Sequence, residues 1–211
     1  MPAPNDARFW DKAARKYARD PIGDPAGYER TLEAVAQRLA PEHRVLELGC
    51  GTGTTALRLA SGVAEYVASD VSAEMIAIAR EKAEGAGLPQ LTFEVAPAEA
   101  TPGPEGRFDV VLAFNLLHLV KARGALLQAA HRGLKPGGLF ISKTPCLKEV
   151  NPLIRAVIPL MQAVGKAPYV AVFDAAELED ELTASGFAIV ERARHGSGRQ
   201  DPRPYLVAAK V

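Results

Sequence analysis

The sequence predicts an α/β fold: a mostly parallel sheet with helices on both faces. Three observations carry this expectation. Short apolar runs alternate with helical stretches between residues 44 and 142, the pattern of repeated strand–helix–strand units. The runs 45–48 and 108–114 are mostly apolar, as strands covered on both faces must be. The chain then closes on two strand-like runs, 187–193 and 205–211, joined by a polar turn that predicts an antiparallel hairpin.

The elements follow in order. Residues 6–18 have helical character and carry Phe9, Trp10 and Tyr17, and Pro21, Gly23, Asp24 and Pro25 then break the helix. Residues 26–39 place Leu32, Val35, Ala36 and Leu39 on one helical face. Both helices precede the first strand, so residues 1–40 read as an N-terminal helical extension. Strand 45–48 runs into Gly49-Cys50-Gly51-Thr52-Gly53 and a helix over 54–60. Strand 66–69 ends at Asp70, Ser72 caps a helix over 73–84, and Gly85 and Gly87 close it. Strands at 91–95 and 108–114 come next, then a helix over 122–133. Lys135-Pro136-Gly137-Gly138 is read as a turn into a fifth strand at 139–142. The core thus spans 41–143. An apolar, Pro-broken segment over 151–164 makes 144–173 a lid, and residues 174–211 supply a last helix (175–185) and the hairpin. All of it is read as a single domain.

Composition narrows the function classes. The 211 residues are 48% hydrophobic, enough for a sizeable core. Lys plus Arg number 25 and Asp plus Glu number 25, so there is no basic excess to draw in nucleic acid. The polar N-terminus lacks a signal peptide, and no run is long and apolar enough for membrane insertion. The 2 cysteines, Cys50 and Cys146, form neither a CxxC pair nor a Cys/His cluster, which argues against a disulfide framework or a metal site. The expectation is a cytoplasmic protein, monomer or homodimer, acting on a small molecule.

The chemistry concentrates at the first strand's end. A tight strand-to-helix turn needs glycine because backbone passes where a Cβ would clash. Asp70 closes the next strand, at the spacing from which a carboxylate receives two ribose hydroxyls. Together they imply an adenosine-containing ligand. Gly51-x-Gly53-x-x-Ala56 also fits the dinucleotide fingerprint, so the glycines alone leave the ligand open.

Val45-Leu46-Glu47-Leu48-Gly49-Cys50-Gly51-Thr52-Gly53 resembles motif I of the class I S-adenosylmethionine-dependent methyltransferases. Four further stretches continue the resemblance along nearly the whole chain: Phe9 to Tyr17, Ser69 to Met75, Arg107 to His118, and Leu134-Lys135-Pro136-Gly137-Gly138. The nearest branch is similar to the quinone-biosynthesis group of small-molecule methyltransferases. The resemblance implies a Rossmann-like, doubly wound, seven-stranded sheet with an antiparallel C-terminal strand, and S-adenosyl-L-methionine as cofactor without a metal. It further implies that Gly49, Cys50, Gly51, Gly53 and Thr54, with Glu47 behind them, hold the methionine end. Asp70 would take the ribose, Val71 and Met75 the adenine face, and Ala98 and Glu99 its edge. Asn115 would lie near the sulfonium and Tyr17 would close over the site. The family often has Asp where this chain has Pro97, which leaves Glu99 to receive the adenine amino group.

Competing readings stand beside these. His118 follows the fourth strand and is either a general base or a packed, satisfied imidazole. Met75 is equally a core residue, Trp10 and Tyr17 equally anchors of the extension, and Cys50 a backbone-only member of the loop. His131 and His195 read as surface residues, and Arg192, Arg194, Arg199 and Arg203 as a solvated hairpin tip. Asn115-Leu116-Leu117-His118 lacks the Asn/Asp-Pro-Pro-aromatic sequence of methyltransferases that act on planar amino groups. The favoured function is therefore O- or C-methylation of a small, partly hydrophobic acceptor. The alternatives are a nicotinamide-dependent dehydrogenase and a non-catalytic protein that binds S-adenosylmethionine or S-adenosylhomocysteine.

Overall fold

A computed structural model describes residues 4–100, 104–150, 157–158, 160–162, 167–198 and 201–211. Two helices, α1 (Pro4–Tyr17) and α2 (Pro25–Ala36), precede the sheet. Then follow β1 (Arg44–Leu48), α3 (Thr54–Leu59), β2 (Glu65–Asp70), α4 (Ala73–Ala83), β3 (Leu91–Val95), β4 (Phe108–Phe114), α5 (Arg123–Gly133) and β5 (Leu134–Lys143). The chain finishes with α6 (Ala175–Ala184), β6 (Phe187–Ala193) and β7 (Tyr205–Lys210).

The seven strands lie in the order β3-β2-β1-β4-β5-β7-β6. β1 to β5 pair in parallel, whereas β7 runs antiparallel to both neighbours. The chain order reverses direction at β1 and β4, the switch point where the loops leaving two strands diverge and open a crevice. Burial explains the strand sequences. Central β1 is buried at four consecutive positions, while edge strand β6 alternates buried or half-buried with exposed. Two apolar clusters cover the two faces, and neighbouring residues divide between them: Leu46 and Val111 on one side, Val45 and Val110 on the other.

Local signals set most boundaries. Ser72 caps α4 by accepting the Met75 N–H at 3.1 Å. Asp174 and Glu177 form a reciprocal capping box at α6. One expectation changes. Lys135-Pro136-Gly137-Gly138 does not precede β5 but lies within it as an irregularity: Leu134 already pairs with Phe108, and pairing resumes at Val110 with Leu139. The buried Leu134 side chain holds that early start, and Gly137 at φ 73° supplies the bend. Most of the segment 151–164, read as a lid, lies outside the described residues. Of those described, Val157, Leu160 and Met161 are exposed.

Candidate active site

The carboxyl ends of β1, β2, β4 and β5 border one cavity of about 840 Å³. Its glycine end is built by the β1–α3 turn, where Gly49, Gly51 and Gly53 all have positive φ (67°, 54° and 74°). A Cβ on Gly49 would stand 2.7 Å from Leu116 Cδ1, so the turn is closed to larger residues. Gly53 has a different task. It is absent from the cavity wall and backs onto Phe93 and Ala79, where a Cβ would lie 2.8 and 2.9 Å from their nearest atoms.

Asp70 ties the glycine loop to the β2–α4 turn. Its Oδ2 accepts the Gly51 N–H at 3.0 Å and its Oδ1 the Ser72 N–H at 2.9 Å. Burial pushes its carboxyl above the usual range, and the two N–H groups pull it back. A carboxylate offers about four lone-pair sites, so two backbone donors leave capacity for ligand hydroxyls. Glu47 lies deeper, buried, and accepts the Tyr66 hydroxyl at 2.9 Å. Burial pushes its pKa to about 8, against the Tyr66 hydrogen bond and with help from Asp70, so it is mostly protonated at neutral pH.

The remaining predicted residues gather on the same cavity. Cys50, Thr54, Val71 and Met75 line it, as do Ala98, Glu99, Asn115 and His118. Met75 also packs with Ala14 and Ile78 in the seam between α1 and α4, so its two readings are compatible. Cys50 is buried, and burial and then Glu47 and Asp70 hold its thiol far above the reactive range. Asn115 is the one positive-φ non-glycine among the described residues (φ 50°), and its N–H donates to the Lys143 carbonyl at 2.8 Å. Tyr17 is half-exposed beside the loop; burial, then Asp70 and Glu47, raise its phenol pKa.

His118 sits in a short 3-10 turn with Nδ1 2.9 Å from Thr144 Oγ1. Burial pushes its pKa to about 4, so the imidazole is neutral at physiological pH. The structure corrects the surface reading of His131 and His195. His131 Nε2 is 3.1 Å from the Gly186 carbonyl and its ring meets Phe187 edge-on. His195 packs against the Tyr205 ring with Nδ1 3.1 Å from Thr31 Oγ1. The hairpin turn is likewise only partly a solvated tip. Arg192 and Arg194 are exposed in ion pairs with Glu179 and Glu149, but Arg203 folds inward to line the cavity, and Arg199 lies outside the described residues.

Sequence reasoning missed the cavity's far wall. Thr31 from α2, Lys143 from β5 and Arg203 line it, with apolar surface from Ile22, Leu119, Val120, Pro168 and Val170, while Tyr28 reaches Thr55 of α3 at 3.1 Å. Only Lys143 carried a usable signal, as a cation at the carboxyl end of a central strand. Both ends carry mixed charge: Glu47, Asp70, Glu99 and Lys82 line the glycine end, the last bonded to Thr52 Oγ1 at 2.7 Å, and Lys143, Arg203 and Asp24 line the other.

This arrangement tests which adenosine ligand the glycine loop suits. A diphosphate needs loop N–H groups aimed at it, and here Asp70 already holds that of Gly51. Asp70 beside the loop disfavours a phosphate there and suits a ligand that brings hydroxyl groups to a carboxylate. The fold and the loop together define an α/β architecture with a glycine-turn cavity at its sheet switch point.

Comparison with known proteins makes this specific. Residues 45–138 match a family described as "Methyltransferase domain". The chain is 41% identical over 126 residues to a demethylmenaquinone methyltransferase of Thermus thermophilus, covering 57% of this chain and 54% of that one. It is 29% identical over 209 residues to a ubiquinone biosynthesis O-methyltransferase of Azorhizobium caulinodans, covering 89% and 78%. The crystal structure of magnesium protoporphyrin IX methyltransferase from Synechocystis PCC 6803, solved with S-adenosylhomocysteine bound, superposes with a TM-score of 0.71 at 20% identity over 98% of this chain and 96% of that one. Residues 45–138 thus resemble a methyltransferase domain, and the chain shares the Rossmann-like fold of solved methyltransferases. It spans about half the length, or less, of several curated relatives that it matches.

Proposed function

We propose that the protein transfers the methyl group of S-adenosylmethionine to oxygen or carbon of a small, partly hydrophobic acceptor. The observation that carries this reading is the continuous cavity, which joins the glycine end to an apolar wall. Its volume of about 840 Å³ is near the top of the roughly 300–1,000 Å³ range of small-molecule pockets, room for a cofactor and a second ligand. The quinone-pathway relatives support an acceptor of that character.

When bound, S-adenosylmethionine supplies a methyl group on a positively charged sulfur that leaves as a neutral thioether, so no acid need protonate it. The chain's task is to bind, orient and exclude water. Asp70 holds the ribose hydroxyls with its remaining lone pairs. The backbone of Gly49, Cys50 and Gly51, with Thr54 and the Glu47 carboxyl, receives the methionine end, and Gly53 turns the chain. Val71 and Met75 cover the adenine, with Ala98 and Glu99 along its edge. Asn115 stands beside the sulfonium and Tyr17 closes the entrance. Alignment of acceptor and methyl can supply on the order of 7–11 kcal/mol of barrier reduction. His118, neutral, is placed to accept a proton or hydrogen bond from an acceptor hydroxyl.

Calorimetry with S-adenosylhomocysteine and with NAD tests the cofactor. Binding of the first without the second is expected, and the reverse would establish the dehydrogenase alternative. A methyl-labelled donor assayed against phenols, quinols and lipid-like acids then tests turnover. Methylation of nucleic acid alone would reject the acceptor class, and tight product binding with no turnover on any acceptor would favour a non-catalytic binder.

A further inference from the structure

Lys143 is the end residue of β5, paired with Phe114 of β4 and Tyr205 of β7, and only 8% exposed. Its Nζ donates to Thr31 Oγ1 at 3.0 Å. That hydroxyl is otherwise committed: it donates to the Gly27 carbonyl at 2.8 Å and meets His195 Nδ1 at 3.1 Å. An ammonium has three donors, and among the described residues no carboxylate lies within ion-pair distance of this one. The nearest acids are engaged elsewhere. Asp201 takes Arg203 Nε at 2.9 Å, and Asp24 caps α2 and accepts from Ser197. Burial lowers the Lys143 pKa, with Asp201 opposing the shift and Arg203 adding to it. A buried cation without a counter-ion is costly, and such a charge is kept where something else compensates it.

We propose that Lys143 anchors an acceptor carrying a single carboxylate, with Arg203 beside it and the acceptor's apolar body on the Leu119, Val120 and Val170 wall. This rests on the methyl-transfer reading of the cavity and names the substrate class within it: an amphiphilic monocarboxylic acid. Arg203 spends its Nε on Asp201, so its remaining guanidinium nitrogens can reinforce the same head group. The Lys143 carbonyl receives the Asn115 N–H, so the anchor is one residue contact from the predicted sulfonium position.

The test compares benzoate, 4-hydroxybenzoate, 3,4-dihydroxybenzoate and decanoate with their methyl esters, measured by calorimetry on protein saturated with S-adenosylhomocysteine. At least one acid is expected to bind roughly tenfold or more tightly than its ester, the strength of one hydrogen bond to a charged group. Lys143→Met should abolish that preference and Lys143→Arg retain it, both with unchanged affinity for S-adenosylhomocysteine. Met removes an uncompensated buried charge at similar length, and a melting temperature at or above wild type will confirm that the variant folds. Esters binding as well as acids throughout, or a preference that survives Lys143→Met, overturns the proposal. The first titration, with S-adenosylhomocysteine alone, separates the two ideas. If it gives no heat, the methyl-transfer reading fails, and the acid preference is then judged on the protein by itself.

Discussion

The two ends of the cavity are built by different means. The glycine end comes from compact stretches at consecutive strand ends: residues 47–54 after β1, 70–75 after β2, 97–99 after β3 and Asn115 after β4. The far end joins Thr31 of α2 to Lys143, 112 residues away in sequence, with Arg203 beside them. The first end is locked by the backbone hydrogen bonds that Asp70 accepts from Gly51 and Ser72. The second holds a buried cation, Lys143, with spare donor capacity. The difference fits a division between a fixed cofactor seat and an adjustable acceptor seat.

The sharpest way to break that division is Asp70→Ala. Asp70 holds Gly51 and Ser72 by one charged hydrogen bond each, and in the proposed complex also holds the ribose. Hydrogen bonds to charged groups contribute about 1.5–3 kcal/mol apiece, so affinity for S-adenosylhomocysteine should fall about a hundredfold or more in calorimetry. A change of less than threefold would place the cofactor elsewhere. Gly53→Ala comes next. Its φ of 74° and the contacts under 3 Å with Phe93 and Ala79 predict a loss of roughly 1–3 kcal/mol in denaturant unfolding. Gly62→Ala has open space around it and an ordinary φ, and serves as the near-neutral control.

The same contrast explains what could be read beforehand. Strand periodicity and the glycine turn depend on neighbours in sequence, so the strand–helix alternation and the turn itself were legible from Val45 to Phe114. The role of Gly53 as a packing residue was not, because Phe93 approaches it from 40 positions away in the fold's third strand. Arg203 and His195 looked like surface residues because a polar turn carries no sign of which side chains fold back. Only the fold, which brings Thr31 of α2 beside the β6–β7 turn, gives His195 its partner. Leu134 was assigned to a turn because Pro136 and the glycines mask a strand that begins before them.

A subtler probe of the glycine end is pH. The Glu47 carboxyl titrates near 8 in the folded protein and near 4.5 as a free side chain, so the fold holds the extra proton between those values. Its contribution to stability is complete below pH 4.5 and is lost as pH rises through 8. Glu47→Gln should flatten the decline in melting temperature between pH 6 and 8.5 while weakening cofactor binding. An unchanged slope would show that Glu47 is ionised in the folded state.

The smallest effect is expected at His118, which stands between the two ends. Its pKa of about 4 lies below the free value of 6.5, so the neutral form is built into the fold. The stability it confers is present above pH 6.5 and is lost as pH falls through 4. A base this weak is always ready to accept a proton at pH 7 but has little driving force to take one. His118→Ala should therefore slow turnover by roughly tenfold, short of the 10²–10⁴ of a well-matched general base. Cofactor affinity should stay the same, and the wild-type rate should show no ionisation limb from His118 between pH 6 and 8. Thr144→Val, which removes the hydroxyl 2.9 Å from Nδ1, should reproduce part of the loss by freeing the ring. A hundredfold drop with a limb near 6.5 would mean that the bound acceptor raises the imidazole pKa. That result would make the acceptor end a catalytic seat as well as a binding one.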